Sequence, residues 1–374
     1  MLAVVVMARD EADVLGRCLE SVKSLGELHV SVDRATADAS AEVARAQGAK
    51  AYQHLGLPVQ PGADAAEAIL AQNSYSRMRN DVLAQVEANS HADWLMWLDA
   101  DEDLAEGGEA LLALLPQLPP EVEAVAVQMR LWEGARVTSV MRNSKVIRRG
   151  IRFTRRRHEH IVFNGRQALC DACVLDHHPE KKARGSSDLL KLQREAFLAD
   201  WREFQDGRSA FYWADWWHVH GEEENALLWC ERCLAMPDAL CPAGQRNQAA
   251  KYAGRMAEVL GYYEKARGLF QTALQADWQD AEAMYHIGAL AVQAGDLAQG
   301  EHWFTCGLQY PERPGSVMQQ DIDACRALPY YGLACVARAR GDRAGAYSYV
   351  DQAERASSCY HQQFTDLRQK LDKD

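Results

Sequence analysis

The carboxyl-terminal half of this chain repeats itself at a spacing of 34 residues. Positions 34 residues apart have side chains of matching size: small residues match small residues, and a phenylalanine matches a phenylalanine. This is the pattern of two antiparallel helices in close contact. The first set is Gly254, Gly261, Ala266, Phe270 and Ala273, and the second is Gly288, Gly295, Gly300, Phe304 and Gly307. Such a period restricts the chain to stacked helix-turn-helix units, and looser copies extend the series to four units over about 207–356.

The first half of the chain has a different pattern, in which short apolar runs alternate with segments of helical spacing. The runs Leu2–Met7, Leu28–Val32 and Trp94–Leu98 have the length of strands. This alternation predicts an open, mostly parallel sheet with helices on both faces. The expected fold class is therefore α/β followed by all-α, with one domain over residues 1–185 and a helical repeat domain over residues 186–374.

The composition limits the class of protein. A length of 374 residues suits two domains, and 53 acidic against 41 basic side chains give a net charge of −12, which argues against bulk coating of nucleic acid. No apolar run approaches the ~18 residues of a membrane span, so no membrane insertion is expected. No signal peptide is recognisable at the start, and we expect a cytoplasmic protein whose ten cysteines are thiols.

Carboxylates follow two of the predicted strands. Asp99 and Asp101 come directly after Trp94–Leu98, where two carboxylates can chelate a hard divalent cation together with diphosphate oxygens. The competing interpretation of this pair is a solvated acidic turn. Asp33 follows the second strand, where an acidic side chain can accept hydrogen bonds from a base or ribose. Asp38 is assigned mostly to capping the next helix.

Four segments of the first half carry a family resemblance. Val4–Glu11, Val32–Asp38, Ser76–Asn80 and Trp97–Glu102 together resemble a family-2 glycosyltransferase of the GT-A fold. The repeat unit that begins at Ala281 resembles a tetratricopeptide repeat. The resemblance implies a hexosyltransferase-like enzyme, inverting and dependent on Mn²⁺ or Mg²⁺, whose donor is a nucleoside diphosphate sugar, with a UDP-sugar as the first choice.

The same resemblance implies a role for each matched residue. Asp33 would meet the nucleotide base, Asp99 the ribose or the metal, and Asp101 the metal. Arg79 would position the diphosphate. The nucleotide-sugar-binding set is Asp33, Arg79, Asp99, Arg9 and Glu11. The chain departs from the family at Arg34–Ala37, where a Gly-Ser-Thr turn is common, and in a longer loop at residues 55–74, and both departures bear on which nucleotide sugar is bound.

A basic segment, Arg142–Arg157, holds eight Arg or Lys and no acid. It is either a solvated hairpin or an anion site for phosphate. His158 and Glu159 follow it, and Glu159 is the first choice for the general base of sugar transfer, with an ion pair to the neighbouring arginines as the competing role. His177, at the end of a later strand, resembles a metal-completing histidine of this family, so the expected metal set is Asp101, Asp99 and His177.

Two function classes remain for the whole chain. The leading hypothesis is sugar transfer to an acceptor held partly by the repeats, the acceptor being a protein or peptide, a glycan or a nucleic-acid base. The alternative is a repeat-based protein-interaction scaffold with a degenerate transferase domain, and the presence of both Asp99 and Asp101 argues against it. A dehydrogenase or nucleotidyltransferase is disfavoured because no glycine lies between Met1 and Leu15.

Two Cys-x-x-Cys pairs, Cys170/Cys173 and Cys230/Cys233, raise the question of a zinc site. In the helical repeat, Cys230 takes the position that Phe270 and Phe304 occupy in later units. Cys233 takes the position of the small residues Ala273 and Gly307. Both are therefore expected to be packing positions, and a four-cysteine site is disfavoured.

Overall fold

A computed structural model describes residues 1–54, 75–156, 158–179, 187–310, 320–357 and 362–373. The chain forms two compact units, one of Met1–Gly134 with Arg142–Glu203 and one of Ala135–Met141 with Phe204–Asp374. The predicted loop at residues 55–74 and the predicted boundary between residues 185 and 186 lie outside the described residues, and both stay predictions.

The first unit is built on a mixed sheet. Its neighbouring strands run in the order β3-β2-β1-β4-β7-β6-β10-β5, and β8 pairs with β9 in a separate small sheet. The strands are β1 (Leu2–Ala8), β2 (Glu27–Asp33), β3 (Lys50–His54), β4 (Trp94–Asp99), β5 (Glu102–Glu106), β6 (Val122–Glu133), β7 (Arg136–Arg148), β8 (Arg152–Thr154), β9 (His160–Val162) and β10 (Arg166–His177). The helices are α1 (Ala12–Val22), α2 (Ser40–Ala46), α3 (Tyr75–Asn89), α4 (Gly108–Leu114), which a short 3-10 turn (Leu115–Gln117) follows, and α5 (Ser187–Phe204).

Strands β1 to β4 explain where the candidate site lies. The four strands are parallel, and β1 and β4 are buried along almost their whole length, as continuous apolar runs require. Helix α1 buries Leu15, Cys18, Leu19 and Val22, which share one helical face. Because parallel strands end at the same edge, Asp33 at the end of β2 and Asp99 at the end of β4 lie on the same edge of the sheet.

The second unit consists mainly of antiparallel helix pairs, which we number as hairpins. Its helices are α6 (Gly207–Val219) and α7 (Glu223–Leu234) in hairpin 1, α8 (Ala243–Val259) and α9 (Tyr263–Ala276) in hairpin 2, α10 (Ala281–Gln293) and α11 (Leu297–Gly307) in hairpin 3, α12 (Ile322–Arg326), α13 (Leu328–Ala339) and α14 (Arg343–Ala356) in hairpin 4, and α15 (Gln362–Lys373). A short strand, β11 (Gln320–Asp321), pairs with Ser139 and Val140 of β7.

Glycine and ring positions explain the 34-residue period. The turn of each hairpin has a glycine with φ between 77° and 87°, a backbone conformation that residues with a side chain rarely adopt. Within the hairpins, a Cβ on Gly254 would lie 2.6 Å from the Phe270 ring, and one on Gly288 would lie 2.7 Å from the Phe304 ring. The turn glycines are Gly221, Gly261, Gly295 and Gly341.

The prediction of an α/β region followed by a helical solenoid is confirmed, and the finer assignment of the sheet to the GT-A fold stays a prediction. Cys230 and Cys233 of α7 are fully buried among the packed helices. Among the helices of the described ranges, none is at once long enough and apolar enough to span a membrane.

Candidate functional site

The ends of β1 and β2 bring three of the candidate residues together. Asp33 is 5% exposed, and its carboxylate accepts a hydrogen bond from the Ala35 amide at 2.9 Å. The guanidinium of Arg9 lies 3.4 Å from the second oxygen of Asp33. The Arg9 amide donates to the Glu11 carboxylate at 3.3 Å. The structure therefore joins Arg9, Glu11 and Asp33, and protein groups already contact both oxygens of Asp33.

Asp38 links the starts of two helices. One oxygen accepts from the amide and the hydroxyl of Ser40, at 2.9 and 2.5 Å, and the other accepts from the Ala12 amide at 2.9 Å. Burial acts to raise the pKa of Asp38, but the bonds from Ser40 and from backbone amides lower it. Asp38 therefore satisfies the first amide of α2 and the first amide of α1, although the N-cap residue of α2 is Ala39.

Arg79 of α3 is the centre of the site at the end of β4. It donates to Asp99 at 3.1 Å and to Glu159, and its guanidinium lies 4.4 Å from the centre of the Trp97 ring. Burial acts to raise the pKa of Asp99, but the charges of Arg79, Lys145 and His177 outweigh it and lower that pKa to about 2. Asp99 is therefore an anion, stabilised by the cations beside it. Glu159 forms an ion pair, as its competing role has it, but with Arg79 of α3 and not with the neighbouring arginines of the basic segment.

A buried ion pair supports the loop that carries Asp99 and Asp101, and sequence reasoning missed it. Lys145 of β7 donates to both oxygens of Glu102, at 2.5 and 2.6 Å, and both side chains are almost fully buried. Glu102 also accepts from the Asp99 amide at 3.1 Å. A lone Lys in a basic run and a lone Glu after Asp-Ala-Asp gave no signal of this pairing, because the two lie on strands far apart in the chain.

Asp101 and His177 form a second pair at the same edge. The His177 Nε2 atom lies 3.4 Å from an Asp101 oxygen. Burial acts to lower the pKa of His177, but the hydrogen bond and charge of Asp101 raise it. Asp99 pairs with Arg79 instead, and within the described residues no group of three or more His, Cys, Asp or Glu is close enough to hold a metal ion. A cation here would need oxygens from a ligand besides those of the protein, and the metal set stays a prediction.

Several cations of the basic segment pair with carboxylates in its described part, while Arg148 and Arg149 donate to backbone carbonyls. Arg142 donates to Asp171 at 2.8 Å, Arg152 to Glu87 at 2.6 Å, and Arg156 to Asp200 at 2.9 Å. These cations are therefore neutralised by carboxylates from distant parts of the chain. Arg157 lies outside the described residues.

His158 and Glu159, which follow the basic segment, have different surroundings. A φ of 47° places His158 in the left-handed region, and its ring stacks on Phe197 of α5 with the centroids 5.6 Å apart. Glu159 points to Arg79, so these two neighbours in sequence contact different partners.

The second unit has a row of polar contacts between the first helices of successive hairpins, which we call the polar ladder. The Tyr252 hydroxyl donates to Asp215 at 2.5 Å and joins α8 to α6. The Lys251 ammonium, 2% exposed, lies 2.6 Å from Glu282 and 3.1 Å from Asp280 and joins α8 to hairpin 3. The ladder also contains the pairs Arg255–Glu282 and Glu258–His286.

A groove of about 890 Å³ opens beside the turn of hairpin 2. Tyr262 and Tyr263 line it and are 46% and 47% exposed, while Leu290 and Ala291 of hairpin 3 also line it but are largely buried. Glu264 and Asp296 add two negative charges, and Lys265 and Arg267 add two positive charges. Tyrosine is enriched at protein interfaces because it combines apolar area with a hydroxyl that can bond across the contact.

Comparison with known proteins gives one relative along nearly the whole chain. No family model matches. A TPR (tetratricopeptide) repeat-containing protein of Synechococcus elongatus is 25% identical over 370 residues, which cover 94% of this chain and 74% of the relative. This match supports the tetratricopeptide part of the resemblance.

Among solved structures, MamA matches 50% of this chain and 92% of its own, with 12% identity and a TM-score of 0.35. PilF of Pseudomonas aeruginosa matches 48% of this chain and 74% of its own, with 13% identity and a TM-score of 0.39. PilW matches 48% and 76%, with 15% identity and a TM-score of 0.38. Scores this low do not establish a common fold for the matched halves.

These comparisons correct the predicted enzyme class. The relative that aligns with 94% of the chain is described by its repeats and not as a transferase. The prediction of a hexosyltransferase-like enzyme is therefore wrong, and the general-base role of Glu159 and His158 is withdrawn with it. The chain is similar to a protein described by its tetratricopeptide repeats.

Proposed function

We propose that the chain is a repeat-based protein-interaction scaffold that acts in the cytoplasm. The observation that carries the proposal is the series of helix hairpins, with turn glycines that recur from hairpin 1 to hairpin 4, in a chain whose relative is described by its repeats. Stacked hairpins present an extended surface on which a segment of another protein can lie. No chemistry is needed for this role.

The groove beside Tyr262 and Tyr263 is the proposed docking place on the array. Its tyrosines are about half exposed although large aromatic side chains are usually buried, so a partner would remove apolar area from water there. Its four charged residues balance, with two of each sign. We therefore expect the partner to be a protein segment with an apolar side chain at its centre rather than a strongly charged one.

The test is site-directed photo-crosslinking in cells of the source organism. A photo-reactive residue in place of Tyr263 should trap a discrete partner, and one in place of Arg355, exposed on α14 outside the groove, is the matched control. A synthetic segment of the trapped partner should then bind the purified chain by calorimetry and lose at least tenfold in affinity to the Tyr262→Ser/Tyr263→Ser variant. Equal trapping at both positions, or equal affinity of the variant, would overturn the groove as the docking place.

A second candidate function belongs to the first unit: binding of a nucleoside diphosphate or its sugar conjugate, without sugar transfer. The observation in its favour is that Asp33, Asp99 and Asp101 come to one edge of the sheet, with Arg79 at its centre. Asp101 and His177 would hold a divalent cation together with diphosphate oxygens. The cation would neutralise diphosphate charge, while Asp33 would accept from the base.

Thermal unfolding with UDP and Mn²⁺ tests this second function. We expect the unfolding midpoint to rise when both are present, because a ligand that binds the folded state stabilises it by mass action. Asp101→Asn should abolish the rise, and Asp13→Asn, an exposed carboxylate on α1, should keep it. A midpoint that UDP, GDP and their sugar conjugates all leave unchanged with Mn²⁺ would remove the nucleotide site.

A further inference from the structure

Two thiols of the second unit lie in contact. Cys233 is near the end of α7, and Cys241 lies in the connection to α8. Their sulfurs are 3.5 Å apart and share a hydrogen bond, and both side chains are fully buried. A disulfide requires about 2.05 Å between the sulfurs, so an approach of about 1.5 Å separates this pair from a covalent bond.

Contacts on both sides hold the two cysteines at this distance. The Cys233 sulfur also lies 3.3 Å from the Gly207 carbonyl oxygen, and the Gly207 amide donates to the Leu240 carbonyl at 2.8 Å. The guanidinium of Arg246 donates to the carbonyls of Leu234 and Met236, at 2.5 and 2.7 Å. The connection between α7 and α8 is therefore fixed against the start of α6 and the end of α7, which keeps Cys241 on Cys233.

We propose that Cys233 and Cys241 are an oxidation site that forms an intramolecular disulfide when the protein meets a small peroxide. In the first step Cys241 loses its proton, its thiolate attacks one peroxide oxygen, the O–O bond breaks, and the leaving hydroxide takes up the released proton and becomes water. Cys241 is then a sulfenic acid. In the second step the Cys233 sulfur attacks that sulfur, the S–O bond breaks, and hydroxide leaves with the Cys233 proton. Two thiols and one peroxide thus give one disulfide and two waters.

The surroundings favour Cys241 as the sulfur that reacts first. The hydrogen bond from Cys233 lowers the pKa of Cys241, burial opposes this, and the charge of Arg246 lowers the pKa further. A thiolate is the nucleophile in such oxidations. Cys230, on the same helix as Cys233, is also fully buried, and burial raises its pKa. Cys230 is therefore the matched cysteine that should not react.

The sequence makes the product easy to identify. Cys233 and Cys241 fall in one tryptic peptide, Cys233–Arg246, and Cys230 falls in the preceding peptide. The reduced full-length protein is treated with hydrogen peroxide, unfolded in N-ethylmaleimide and digested. We expect the Cys233–Arg246 peptide to lose about 2 Da, the mass of two hydrogens, and to take up no maleimide, while the peptide with Cys230 takes up one.

Two variants complete the experiment. Cys230→Ser should give the same oxidised peptide as the natural sequence, and Cys241→Ser should give none. A second readout is the unfolding midpoint, which should be higher for the oxidised protein and return on reduction, because the cross-link restricts the unfolded chain. The proposal is overturned if the folded natural protein consumes peroxide and both cysteines still take up maleimide, or if they end as sulfinic acids without a cross-link.

Discussion

Lys251 gives the sharpest prediction about stability. Its ammonium is fully buried and contacts Glu282 at 2.6 Å and Asp280 at 3.1 Å, both of them almost fully buried. Lys251→Met would remove the cation and leave two carboxylates in a site that excludes water. Removing one partner of a buried pair costs about 3–5 kcal/mol, much of it from the charge that stays behind.

The pKa of Glu282 gives an independent magnitude. Burial acts to raise this pKa, but the charges of Lys251 and Arg255 lower it from 4.5 to about 2. A lowering of this size corresponds to about 3 kcal/mol of stability. Because the pKa is lowered in the folded state, this stability is present above about pH 4.5 and is lost as the pH falls towards 2. Lys251→Met should therefore lower the free energy of unfolding by about 3 kcal/mol at neutral pH. The variant should also lose less of this free energy than the natural protein as the pH falls.

Urea unfolding followed by circular dichroism measures both effects. Lys265→Met is the matched control, because Lys265 pairs with Glu231 at 2.8 Å but is 43% exposed, and such a pair contributes about 0–1 kcal/mol. The double variant Lys251→Met/Glu282→Gln should recover part of the loss, since Asp280 keeps its hydrogen bond from Asn247 at 3.0 Å. The reasoning is refuted if Lys251→Met unfolds at the urea midpoint of the natural protein, or if the double variant recovers nothing.

Two further predictions concern packing and capping. Gly288→Ala should lower the free energy of unfolding by about 1–3 kcal/mol, because its Cβ would lie 2.7 Å from the Phe304 ring. The control Gly268→Ala, whose Cβ would have no neighbour within 4 Å, should raise that free energy by about 0.5–1 kcal/mol. Equal urea midpoints for the two variants would contradict the packing argument. Asp38→Ala should cost about 1 kcal/mol through the lost bonds to Ser40 and Ala12, whereas the exposed Glu20→Ala should cost about 0.5 kcal/mol or less in the same assay.

The sequence predicted the elements of this fold better than the contacts between them. Helix hairpins could be predicted because small residues and rings must return at one spacing when two helices touch, as at Gly254 and Phe270. The positions of Asp33 and Asp99 followed from the strands before them. Periodicity and strand ends are local properties, so a single sequence reveals them.

Partners far apart in the chain could not be predicted in this way. Glu159 was expected to act as a base, and it pairs with Arg79, which lies 80 residues earlier. The basic segment was expected to be solvated or to bind phosphate, and Arg152 pairs with Glu87, 65 residues away. A charge run shows where cations are, and only the tertiary structure shows which carboxylates neutralise them.

The ring of Phe304 has a consequence that reaches past its own hairpin. It fills the space against Gly288 of α10, and a Cβ on Gly332 of α13 would lie only 2.4 Å from the same ring. One side chain is thus clamped between two consecutive hairpins, and its volume sets the distance between them. Phe304→Leu would therefore loosen the packing within hairpin 3 and the packing of hairpin 3 against hairpin 4 with a single change.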